Sequence, residues 1–143
     1  MNKKQKSLTN KGFSLVELII VIAIMAVLVG VLAPQYIKYV DKSRVSADKQ
    51  MVEQFVTAMN VIAADEQNTL ATTGKTYTVT SAANSDAITI SDDLKAEFTS
   101  TNNSVDTAKT YTFKSASYKA NAITIKLEYA SNMWKVTVTG QPN

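Results

Sequence analysis

Apolar residues dominate the chain from Phe13 to Ala33, where Glu17 is the one strongly polar side chain. As a helix rising about 1.5 Å per residue, this stretch is roughly 31 Å long, enough to cross a hydrocarbon core of about 30 Å. Pro34 ends the run. Its ring opposes the carbonyl four residues back, at Gly30, itself a poor helix former, so the pair marks a point where a helix is expected to kink or locally unwind. Tyr36 and Tyr39 then suit the headgroup level of a membrane, with Lys38 snorkelling beside them. Val45, Val52, Phe55, Met59 and Ile62 follow at spacings of seven, three, four and three, a stripe that a helix would bury. Asp41, Lys42, Arg44, Asp48, Lys49 and Glu53 are expected on the remaining circumference, and Met51 and Met59 read as core filling. No Gly or Pro interrupts from Gln35 to Asn68. One long helix is therefore expected over residues 14–68, with an apolar half (13–34) and an amphipathic half (35–68).

The pattern changes after Thr69. Residues 69–107 are rich in Thr, Ser, Asn and Ala and form a connecting region, with Gly74 as its expected turn. Within it Tyr77-Thr78-Val79-Thr80 and Ala87-Ile88-Thr89-Ile90 alternate as short strands do. Ser91-Asp92-Asp93-Leu94 resembles an N-cap leading into one helical turn. Alternation is stronger from residue 108 onward: Tyr111 and Phe113, then Ile123, Ile125, Leu127 and Tyr129, then Trp134, Val136 and Val138, each interleaved with Thr, Lys or Glu. Short linkers at Ala120-Asn121 and Ser131-Asn132 suit hairpins. The expected fold class is α+β: the long helix packed on a C-terminal antiparallel meander, residues 108–143, whose apolar face the stripe from Val45 to Ile62 covers.

Composition narrows the function. The 143 residues leave one domain of roughly 100 after the apolar stretch. Fifteen basic against twelve acidic residues give a net charge of +3. Four of the lysines (Lys3, Lys4, Lys6 and Lys11) precede the apolar run, and without them the remainder is slightly acidic. The others are scattered, so nucleic acid is not indicated as a partner. With neither Cys nor His, thiol nucleophiles, imidazole bases and the commonest zinc ligands are absent. An enzyme is not expected, and no cofactor is implied. Asp92 and Asp93 suggest calcium only weakly, because no ligand spacing surrounds them; a cap or a solvated pair is the simpler reading. Asn102-Asn103-Ser104 is a weak glycosylation sequon.

Glu17 is the candidate with chemical consequence. An ionised carboxylate in the hydrocarbon core costs roughly 2.5 to 3.5 kcal/mol and by default marks function, with a partner to be found. No Lys or Arg lies between Phe13 and Ala33 to neutralise it. Residues 1–12 carry four lysines, no acid and a terminal Gly12, the outline of a cytoplasmic leader. Cleavage between Gly12 and Phe13 would create an α-amino group four residues before Glu17, on the same helix face and about 6 Å away. That amine can meet its own carboxylate or, in a staggered stack, a neighbour's. A secretory signal cut after Val31-Leu32-Ala33 would leave Pro34 next to the cut, an overlong apolar run and Glu17 unexplained; a plain signal anchor leaves the acid unexplained too.

Lys11-Gly12-Phe13-Ser14-Leu15-Val16-Glu17-Leu18 followed by an apolar helix resembles the short-leader class III signal of type IV prepilins, over Lys11 to about Pro34. The resemblance implies the pilin fold, cleavage after Gly12 by prepilin peptidase, N-methylation of Phe13, and pairing of Glu17 with the terminal amine of an adjacent subunit. It also implies a stretch near Pro34 that loses helicity when subunits pack. Expected partners are further copies of the chain in a helical homopolymer, the peptidase, the pilus assembly platform with its ATPase, and the membrane before assembly. The precursor is expected in the cytoplasmic membrane and the product in an extracellular pilus serving adhesion, surface motility or biofilm formation. Many similar Gram-negative pilins close a C-terminal loop with a disulfide; its absence leans towards a Gram-positive source. A minor or competence pilin, a type II secretion pseudopilin, and a single-span adhesin outside any filament are the alternatives.

Overall fold

The structure, a computed structural model, describes residues 12–65, 70, 75–101 and 105–142. The leader lysines Lys3, Lys4, Lys6 and Lys11, the turn expected at Gly74 and the sequon at Asn102 lie outside them. By internal contacts the chain divides into two units, residues 1–39 and 40–143.

Helix α1 spans Leu15–Ala64, 50 residues, and remains α-helical through Gly30 and Pro34. At Ala64 its described span closes with Asp65 N donating to the carbonyls of Val61 and Ile62 at 3.1 Å each. Residues 66–69, where the end was expected, are outside the described set. The amphipathic half uses its stripe as expected. Val52, Phe55, Met59 and Ile62 are buried and Val45 packs partly against the same core.

Four strands form one antiparallel sheet: β1 (Thr76–Ser81), β2 (Ile88–Ile90), β3 (Thr124–Ala130) and β4 (Met133–Thr139), in the order β2-β1-β3-β4. Register follows the dry face. Ile90, Val79, Ile125 and Val138 stand in one row across the sheet, and Tyr77, Leu127 and Val136 in another. These rows share a core with α1, to which Phe55 contributes a T-shaped contact on Tyr111 at 4.9 Å between centroids. Each fully buried side chain of this size contributes about 1.5–3 kcal/mol.

Three expectations are corrected here. The sheet is not a meander drawn from residues 108–143 alone; β1 and β2, from the connecting region, supply half of it. Tyr111-Thr112-Phe113 alternates in burial but is not a strand of that sheet. Its backbone instead meets residues 86–88, through an isolated bridge from Thr112 to Ala87 and a 2.8 Å bond from Phe113 N to the Asp86 carbonyl. Nor is there a hairpin at Ala120-Asn121: a short helix, α3 (Ala116–Ala120), fills the space before β3. Period-two burial records which side chains face the core, and a bridged loop satisfies it as well as a strand does.

The Ser131-Asn132 hairpin is as expected. Both residues have positive φ (51° and 62°), the two-residue turn that matches strand twist. Ser91 does precede a helix, α2 (Asp92–Ser100), longer than the single turn anticipated. Its hydroxyl makes no cap bond and accepts instead from Thr78 N of β1 at 3.3 Å, tying the helix start to the sheet.

Candidate assembly site

Gly12, Phe13 and Ser14 lead into α1 without helical structure, and Phe13 is 91% exposed. Ser14 N donates to Glu17 Oε2 at 3.0 Å, while the Ser14 carbonyl accepts from Leu18 N at 3.2 Å. Sequence dictates this arrangement: Ser at the cap and Glu three residues on is half of a capping box, the carboxylate satisfying one of the donors that every helix start leaves unpaired. The helix macrodipole favours the negative charge at the same place. Glu17 thus serves locally as a cap, with lone pairs left to accept from a second donor. An α-amino group at Phe13 would fall within the same turn. Nothing lies within 4 Å of a Cβ built on Gly12, so substitution there meets no steric obstacle.

The rest of this unit is apolar and uncovered. From Leu15 to Leu32 the side chains are exposed along the whole helix, and α1 is long and apolar enough to cross a membrane. Gly30 has open space around its Cβ position. Pro34 has no N–H, so the Gly30 carbonyl lacks its helical donor although the helix continues past it.

A second polar centre was missed by the sequence reading. Asp48, expected on the solvated face, is buried at 1% exposure. Lys114 N donates to both of its carboxylate oxygens (2.9 and 3.1 Å), and Ser115 donates to Oδ2 through its N (2.7 Å) and its Oγ (2.6 Å). Ser115 Oγ in turn accepts from Tyr118 N at 3.4 Å, capping α3. The signal was present: Asp48 fills the gap of seven between Val45 and Val52, so it sits in the buried stripe. Burial, followed by the charges of Asp48 and Glu53, raises the Tyr118 hydroxyl above its ordinary pKa of 10.0.

Among the described residues no cluster of acids could hold a metal. Asp92 pairs with Lys95 at 3.0 Å and Asp93 with Lys75 at 3.8 Å, which accounts for both carboxylates of the α2 start.

An apolar helix opened by a capped glutamate, continuing into a domain in which its second half packs on an antiparallel sheet, gives an α+β, pilin-like arrangement. Residues 8–33 match the family described as the prokaryotic N-terminal methylation motif. Two sequences of the type IV major fimbrial protein FimA from Dichelobacter nodosus are each 42% identical over 55 residues, covering 38% of this chain and 35% of the relative. The matched region is thus about a third of those relatives' length. No solved structure matches the chain. Nothing in these similarities supports a Gram-positive source.

Proposed function

We propose that the chain is a structural subunit, in first place the major pilin, of a type IV pilus. Prepilin peptidase cuts after Gly12 and methylates the new amine of Phe13. The apolar helix then leaves the bilayer for a bundle of like helices. Lipid and bundle are similarly apolar solvents for residues 13–33, so the transfer is nearly neutral in apolar burial and the assembly platform with its ATPase sets the direction. Glu17 gives the register, because each subunit carries one cation and one anion at fixed separation, and a staggered stack pairs them all. Near Gly30 and Pro34 the helix loses turns on packing, starting from the carbonyl that already lacks its donor. The finished fibre is extracellular and serves adhesion, motility or biofilm formation.

The observation that carries the reading is the lone carboxylate held at the start of an exposed apolar helix, one turn from the cleavage signal. Glu17→Ala is expected to leave processing intact and to cut the yield of sheared filaments by roughly tenfold or more, the order of a lost ion pair in a dry core. Wild-type yield from Glu17→Ala would refute the pairing.

A further inference from the structure

The domain carries a groove of about 310 Å³ between α1 and the segment before α3, lined among others by Gln50, Gln54, Lys109, Thr110, Thr112 and Lys114. Two features make it more than a surface dent. First, both lysines are carried on a fixed segment. Lys109 Nζ stands 5.4 Å over the Tyr111 ring, the Tyr111 hydroxyl accepts from Asp106 N at 2.9 Å, and Lys114 N is bound to the Asp48 carboxylate. Second, the groove is lined by two cationic side chains and one anionic one, leaving it net positive. Among the described residues neither Lys109 nor Lys114 has a carboxylate partner; Lys38, Lys42, Arg44 and Lys135 lack one too, but do not line the groove. Asp48, the one acid lining the groove, already accepts from residues 114 and 115.

We propose that this groove binds an anionic saccharide, a uronic acid or a sugar phosphate. The two ammonium groups would hold the carboxylate or phosphate, and the amides and hydroxyls of Gln50, Thr110 and Thr112 would meet the sugar hydroxyls. Its volume lies at the lower end of small-ligand sites, which suits one or two sugar units rather than a long polymer. All residues lining the groove belong to the unit 40–143.

The test is calorimetric or saturation-transfer NMR titration of the full chain in detergent micelles. The probes are glucuronic acid, glucose 6-phosphate, glucose and inorganic phosphate. Saturable binding of the first two at about millimolar Kd, with glucose and phosphate at least tenfold weaker, is expected. Lys109→Ala combined with Lys114→Ala should abolish it, while Lys109→Arg with Lys114→Arg, which keeps charge and fold, should retain it. Phosphate binding as tightly as the sugar phosphate would overturn the saccharide assignment. Binding that survives the double alanine variant, or its absence from the native chain, would overturn the site.

Discussion

Asp48 sets one charged anchor point within the apolar stripe by which α1 joins the core. Its carboxylate joins α1 to residues 66 and 67 positions later, through four short hydrogen bonds from Lys114 and Ser115. A charged acceptor strengthens each of those bonds, and removing it strands buried donors, the costlier half of the exchange. Asp48→Ala is expected to destabilise the domain by about 3 kcal/mol, and Asp48→Asn, which keeps one oxygen, by roughly half of that. Urea unfolding of the detergent-solubilised chain, followed by Trp134 fluorescence, reads both. Tyr118 adds a pH dependence. Its folded pKa lies above the unfolded value, so the folded state holds the proton longer. Its contribution to stability is whole below about pH 10 and is lost as pH rises through the folded value. Tyr118→Phe should therefore flatten the alkaline loss of stability in a thermal melt series above pH 9.5 or so, leaving neutral stability little changed. An alkaline limb as steep as wild type would contradict this.

At the scale of elements, the sequence was most legible where one period runs unbroken. The stripe in α1 and the alternation of β3 and β4 each identify a face, and those faces meet in the core. Asp48 escaped because a charged residue defaults to the wet side, although its spacing from Val45 and Val52 placed it in the stripe. Tyr111 and Phe113 were over-read as a strand because burial alternates along the loop that bridges to Ala87 just as it would in a sheet. Ser91 was placed correctly and its hydroxyl was not, since a side chain at a helix start can equally serve a neighbouring strand. The end of β4 carries a constraint with no hydrophobic signature. Gly140 has φ +82°, and a Cβ there would lie 2.1 Å from the Ala122 carbonyl oxygen. Gly140→Ala is expected to cost about 2 kcal/mol or more, through both backbone strain and the clash. Hydrogen exchange should show it as faster exchange confined to β3 and β4. Exchange in β3 and β4 as slow as in the native chain would contradict this.

For the whole molecule, the two units divide the work. The domain has a closed core of its own, with β1 and β3 at the centre of its sheet. The anchor unit leaves its apolar side chains uncovered and must find lipid or other helices as solvent. The family motif matched at residues 8–33 lies in the anchor unit, where a dozen residues around Glu17 carry a motif legible in sequence, whereas the groove at Lys109 has no such local signature. The account rests on a positive terminus that comes into being when the basic headpiece is removed. Intact-mass and N-terminal peptide mass spectrometry of the protein sheared from the surface of its native cells examines that directly. The account predicts a chain that begins at N-methylated Phe13. A surface protein that still begins at Met1, with Phe13 inside an uncut peptide, would contradict it.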